Sequence, residues 1–419
     1  MTGIRERVLQ QIEAATEEII ALAADLVRIP TVNPPGEEYC AAAELIADHL
    51  RRGAMEVEFH RTARRLGGPP RPNVVGLLEG DSPGPCVHFN GHFDVVPPGA
   101  GWTVDPFGGK VDNGRLYGRG SADMKAGLAA AIFAVEAIRR AGVRRAGRLE
   151  VSGTMDEESG GHAGVAHLAE IGRIAADRTD HVVIPEPFGV ERICLGHRGV
   201  YWFRVTASGV MAHGSMPFLG VNAIDRLQPF LEAIRTRLAP ALRERVTSVP
   251  VVPEGSRYAS INVNAIEGGQ TGSATQTPCV PDRCSATFDR RFLSEESFDD
   301  VKLEVVELLA SVEHGADALE LEDLLVVHPT ATRADAPLVR SFERAVCEIV
   351  GQPAQLVASP GTYDHKHVSG IAGVNSCIAY GPGELEQAHQ ADESCAVDDI
   401  VTSTRVMATA VLDLWEAAV

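Results

Sequence analysis

Three carboxylates stand side by side in "TMDEESGG": Asp156, Glu157 and Glu158 close an apolar run and precede two glycines. Like charges so close repel, and a folded chain keeps them together only with counter-charge nearby. An isolated acidic triplet reads as a solvated turn. Four other stretches give it company. "VHFNGHFDVVP" ends in His92-x-Asp94, and "GRGSADMKAG" brings Asp123 to the entrance of a helix. "VVIPEPFG" carries Glu186, and "GPGELEQAHQADE" carries His389. Each stands where an apolar strand ends, the place where open α/β sheets bind ligands. Taken singly each is unremarkable, and Asp123 alone passes as a helix N-cap. Together they are imidazole and carboxylate donors of the kind divalent cations take.

The elements that must carry them are legible from periodicity. A helix is expected over 5–28, stopped by Pro30, and "MKAGLAAAIFAVEAIRRAG" reads as a long apolar helix closed by Gly142. Strands are expected at "NVVGLLEG", "PCVHFNGHFDVV", "GRLEVSGTMDEE" and "DHVVIPEP", with a hairpin around the Asn-Gly of "GGKVDNGRLYG". This alternation implies an α/β fold, a central sheet flanked by helices. From about residue 198 the texture changes to half-exposed strands, "VYWFRVTASGV", "ASINVNAIEGG" and "RCSATFDRRF", mixed with two helices. That suggests an inserted α+β domain over 198–315, with the α/β domain built from 1–197 and 316–419.

Bulk properties narrow the function. The chain has 419 residues, 45% hydrophobic and 23% charged, with a formal net charge of −19. Such an acid excess argues against nucleic acid or an anionic membrane as partner. No stretch reaches the length of a membrane span, and the amphipathic, acidic N-terminus does not read as a signal peptide. Eight scattered cysteines, several within apolar runs, fit free thiols in a reducing cytoplasm. Only Cys279 and Cys284 are close, with no second pair to complete a zinc knuckle.

In their order and local contexts, His92, Asp123, Glu157–Glu158, Glu186 and His389 resemble the co-catalytic zinc hydrolases. That is the family of acetylornithine deacetylase, succinyl-diaminopimelate desuccinylase, carboxypeptidase G and aminoacylase. The resemblance spans nearly the whole chain and rests on five separated motifs. It implies a zinc-exopeptidase-like catalytic domain with a lid and dimerisation insert. It also implies two divalent ions, zinc with cobalt or manganese as alternatives, bridged by Asp123. His92 and Glu186 would complete one ion, Glu158 and His389 the other. Three carboxylates on two dications leave a net positive site, which would answer the crowding of acids. Asp94 would accept the other ring N–H of His92, and a cis peptide would follow Asp123. Glu157 would be the general base of a metal-activated water.

The same resemblance extends to the insert. "ASGVMAHGSMPFLGVNAI" is similar to the family's lid, which implies a homodimer in which His213 reaches the partner's substrate and stabilises an oxyanion. Arg291 in "DRRFLSEE" would hold a substrate carboxylate, with Gly361 and Thr362 of "SPGTYDHKH" alongside. Arg198 in "GHRGV" reads either as a substrate contact or as a structural clasp. One departure is Pro278, which stands where the lid usually has an asparagine, leaving Gln276 as the nearby amide. The polar cluster Tyr363, Asp364, His365 and His367 is another, although five ligands already suffice without the two histidines.

The expected reaction is hydrolysis of the amide of a small N-acyl amino acid bearing a carboxylate. Cleavage of a dipeptide or C-terminal residue stays open, as does hydrolytic deamination of an unusual amine. A non-catalytic binding protein would have lost the base, and Glu157 is present. A dinucleotide oxidoreductase needs a third glycine after "GRG", and Asp123 in that place would repel a pyrophosphate.

Overall fold

The computed structural model describes residues 2–62, 71–144, 146–269, 278–312 and 319–417; Gln276 and the expected boundary at 315/316 lie outside them. The chain forms two compact units. The larger comprises Met1–Gly196, Ala331–Ser359 and Tyr363–Val419, the smaller His197–Thr330 and Pro360–Thr362.

The larger unit is α/β, built on a nine-stranded mixed sheet. Its middle strand, Ser82–His92, runs parallel to Ala146–Thr154 on one side and His181–Ile184 on the other, and Cys377–Ala379 continues the parallel set. Pro72–Leu78 and Glu56–Arg61 extend one side antiparallel, and Arg192–His197 pairs antiparallel on the other. The parallel strands are buried on both faces, so they read as continuous apolar runs. Because they are parallel, His92, the segment after Thr154 and the segment after Ile184 all leave the sheet at one edge.

Helix Lys125–Arg140 lies in the core with its alanines and glycine letting it press close. The helix expected over 5–28 is two, Thr2–Ala14 and Thr16–Arg28. At the break the Thr16 hydroxyl donates back to the Ile12 carbonyl at 3.4 Å, a competition that bends helices. Among the described residues no helix is long and apolar enough to cross a membrane.

The smaller unit is a four-stranded antiparallel sheet ordered Ser260–Gly268, Arg283–Phe292, Gly199–Ser208, Leu319–Val327, with helices Ala223–Ala233 and Phe298–Val312. Strict alternation of burial along Arg283–Phe292 gives it one core face. Phe288 stacks on Phe203 at 4.8 Å and meets Phe230 edge-on at 5.5 Å at the heart of that core. Sequence texture put the return of the α/β pattern at about 316, but Leu319–Val327 pairs along Gly199–Ser208 and the larger unit resumes at Ala331. Its acid-rich "LELEDLLVV" hid the strand.

Candidate metal centre

His92 is the last residue of its strand, and Asp94 follows at the same edge. Glu186 stands two residues past Ile184. Its approach depends on glycine: a Cβ on Gly127 would lie 2.0 Å, and one on Gly381 2.3 Å, from the Pro185 carbonyl oxygen. Asp123 precedes helix Lys125–Arg140 through a cis Asp123–Met124 peptide, as expected. Two residues on, the buried Lys125 ammonium donates to the Leu26 and Ile29 carbonyls at 2.9 and 2.8 Å, closing the end of helix Thr16–Arg28.

The five donors form two groups that share Asp123: His92, Asp123 and Glu186; and Asp123, Glu158 and His389. His92 Nε2 lies 3.1 Å from Asp123 Oδ1 and 3.8 Å from Glu186 Oε1. His389 Nε2 lies 3.5 Å from Asp123 Oδ2 and 3.1 Å from Glu158 Oε2. Each oxygen of Asp123 therefore faces a different imidazole, the disposition a bridging carboxylate needs. Burial pushes Glu158 up to about 7 and Glu186 well above the carboxylate range, the Asp123 charge adding to both. Hydrogen bonds donated to Asp123 and Glu158 lift His389 to about 10. Burial disfavours the charged forms of His92 and Asp123, yet hydrogen bonds prevail: the one to Asp123 holds His92 well up, and those from His389 and His92 hold Asp123 well down. Buried acids crowded to this degree draw cations. The mixed nitrogen and oxygen donor set fits divalent zinc, cobalt or manganese.

The Asp94 carboxylate does not meet the His92 ring as expected. The ring Nδ1–H points at the Asp94 main-chain oxygen, 3.1 Å away, with the carboxylate at 3.6 Å. That still leaves Nε2 bare on the cluster side. The carboxylate is claimed by three better donors: the main-chain N–H groups of Glu157 and Glu158 at 3.1 and 3.2 Å, and the Asn33 amide at 2.8 Å.

The acidic triplet is held by division of partners. Asp156 pairs with Arg71. Glu157 Oε1 lies 3.6 Å from the Lys366 ammonium, and Glu158 meets His389. Asp156, Gly160 and Gly161 all take left-handed backbone angles, which turns the two glutamates to different sides. His367 donates to the Gly160 carbonyl at 2.7 Å and is held down to about 4 by burial and by Lys366, so it serves the turn as a neutral ring. His365 is buried beside Tyr363, its Nδ1 3.4 Å from the phenol oxygen. Neither histidine belongs to a donor group among the described residues.

The remaining expected residues belong to the smaller unit. His213 is exposed, and its Nδ1 accepts from the Ser215 N–H at 3.1 Å and hydroxyl at 2.8 Å. A neutral ring so engaged carries its hydrogen on Nε2. Pro278 offers its carbonyl to the Gly214 N–H at 2.6 Å, bracing that loop. Arg291 makes a bidentate pair with Asp289 at 2.8 and 2.9 Å. Arg198 donates to the carbonyls of Tyr258 and Ser256, and burial plus the Arg291 charge lower its pKa. Gly361 and Thr362 are in the same unit.

Three residues were missed from sequence: Lys366, Arg119 and Glu393. Lys366 and Asp364 approach the acidic turn from a distant segment. Burial and the Glu157 charge push Asp364 up to about 7. Arg119 and Glu393 form a buried ion pair at 2.6 Å beside Asp123. Their only signal was position: Arg119 within "GRGSAD" and Glu393 four residues after His389.

Comparison with known proteins agrees with this geometry. The model of peptidase family M20/M25/M40 matches residues 88–413. A succinyl-diaminopimelate desuccinylase of Rhodospirillum centenum is 30% identical over 404 residues, covering 95% of this chain and 97% of that protein. An M20 family metallo-carboxypeptidase from Sulfolobus solfataricus superposes with a TM-score of 0.75 at 17% identity, covering 96% of this chain and 99% of that one. Human carnosine dipeptidase 1 gives 0.73 at 21% identity, covering 98% and 100%. With the family model matching residues 88–413 and a relative aligned over 95% of its length, the chain belongs to peptidase family M20/M25/M40 and is a metal-dependent hydrolase of amide bonds.

Proposed function

We propose that the protein cleaves the amide of a small N-acyl amino acid, using two divalent ions held by His92, Asp123, Glu158, Glu186 and His389, with Glu157 as proton carrier. The observation that carries this is the Asp123 carboxylate, each oxygen facing a separate imidazole. Zinc is the ion proposed, with cobalt or manganese able to replace it. Bound there, the ions supply Lewis acidity towards water and towards the scissile carbonyl. Glu157 takes one proton from the attacking water and delivers it to the amide nitrogen as the C–N bond breaks, leaving an amine and a carboxylic acid that then ionises to solvent. Lys366 engages one Glu157 oxygen and leaves the other for that proton. Asp94 contributes by anchoring the turn that separates base from ligand.

The substrate carboxylate is assigned to Arg198, Arg291, Gly361 and Thr362, supported by the like charge of two neighbouring guanidinium groups that an anion would relieve. His213, with hydrogen on Nε2, is assigned to the oxyanion. A homodimer through the smaller unit is supported by its exposed apolar side chains, Phe218 and Leu219 foremost. Eight free cysteines, five of them buried, support the cytoplasm as its location. Similarity to a desuccinylase along the whole chain makes N-succinyl amino acids the first substrates to try.

A screen of the zinc, cobalt and manganese forms against N-succinyl, N-acetyl and N-formyl amino acids and against dipeptides tests the proposal. N-acyl amino acids should be cleaved with the higher kcat/KM, and His213→Ala should lower kcat while metal content holds. Faster cleavage of dipeptides would replace this substrate class with a peptidase one.

A further inference from the structure

The two halves of the donor cluster are supported in different ways. His92 ends a central strand and Glu186 follows another by two residues, so the sheet holds them. Asp123 and His389 stand on loops, and His389 is half-exposed with a left-handed φ of 64°. Accepting that the cluster holds two ions, we infer that Arg119 and Glu393 are the positioning residues for the Asp123–Glu158–His389 half.

Glu393 is fully buried. Its Oε1 accepts three main-chain N–H groups in succession around the Asp123 turn: Gly120 at 3.0 Å, Ala122 at 2.9 Å and Asp123 at 3.1 Å. Converging amides of this sort form a nest that calls for an anion. Its Oε2 accepts from Arg119 Nη1 at 2.6 Å, which supplies the counter-charge a buried carboxylate requires. The guanidinium also ties down the other loop, Nη1 donating to the Gln390 carbonyl at 3.1 Å and Nη2 to the His389 carbonyl at 3.2 Å. A third loop joins through the Pro98 carbonyl at 3.0 Å and the Trp102 ring, which lies 5.2 Å beneath the guanidinium carbon. One ion pair thus sets the distance between the bridging acid and His389 without touching His92 or Glu186. Loosening it should weaken the ion that has His389 among its ligands more than the other, which shares only Asp123.

The test uses the full chain, stripped by chelator and titrated with zinc alone by calorimetry, then with cobalt, whose absorption reports coordination. The parent should take up two ions. Glu393→Gln keeps an acceptor oxygen but loses the charge, and Arg119→Lys keeps the charge but loses the fork. Each should bind one ion about 10–100-fold more weakly and the other, which shares only Asp123, with a smaller loss. Arg173→Met removes a different buried ion pair, with Glu150, from the same unit and should retain both ions. Parent-like binding of both ions by Glu393→Gln and Arg119→Lys overturns the inference alone. Equal weakening of both ions, or the same loss in Arg173→Met, overturns it too by reducing the pair to general stability. A parent that takes up no ion overturns the two-ion reading beneath it.

Discussion

Glu157 and Glu158 are neighbours in sequence but not in environment, because the left-handed Asp156 and the two glycines after Ser159 turn one towards Lys366 and the other towards His389. Removing the proton acceptor while keeping its shape should separate these duties. Glu157→Gln is expected to lose about 10²–10⁴-fold in kcat with metal content unchanged; a parent-like kcat would dismiss it as the carrier. The five donors and this base were legible because their short motifs, in order, resemble those of a known hydrolase family, and His92, Glu158 and Glu186 also stand at or just past the ends of buried strands. Lys366, Arg119 and Glu393 were not, because their meaning lies in partners far along the chain. Arg119 and Glu393 are 274 positions apart, and an ion pair at such a separation leaves no periodic trace.

At the scale of elements, the centre depends on where backbone can approach backbone. Helix Lys125–Arg140 presents Gly127 to the Pro185 carbonyl, and no side chain fits in the 2.0 Å available. Gly127→Ala should therefore displace the segment bearing Glu186, costing about 1–3 kcal/mol in denaturant unfolding and reducing metal content. Unchanged stability and full metal loading would show that the segment yields freely. The parallel strands, the hairpin and this helix were all readable from apolar runs and capping glycines. The break at Ala15 was not, since it turns on one threonine hydroxyl. Leu319–Val327 escaped notice because an exposed edge strand carries no core signal.

For the whole molecule, acid is the condition to watch. Arg173 and Arg178 converge on Glu150 inside the larger unit, with His88 at 2.8 Å. Burial opposes ionisation of Glu150, but hydrogen bonds from His88 and Arg173 prevail and bring it down to about 2. A folded pKa below the unfolded value adds stability that is complete above about 4.5 and lost as pH falls towards 2. The shift corresponds to about 3 kcal/mol. Glu150→Gln should be less stable than the parent at pH 7, with the gap narrowing from pH 5 to 3; a gap independent of pH would exclude this linkage. The matched family stretch opens at residue 88, yet carbonyls from Leu26 and Ile29 seat Lys125, and the Asn33 amide seats Asp94. A fragment excised at residue 88 would inherit every donor atom and none of that underpinning. The catalytic stretch is for this reason not portable: grafted elsewhere without its first thirty-odd residues, it would carry a stranded ammonium next to the acid that joins the two ions.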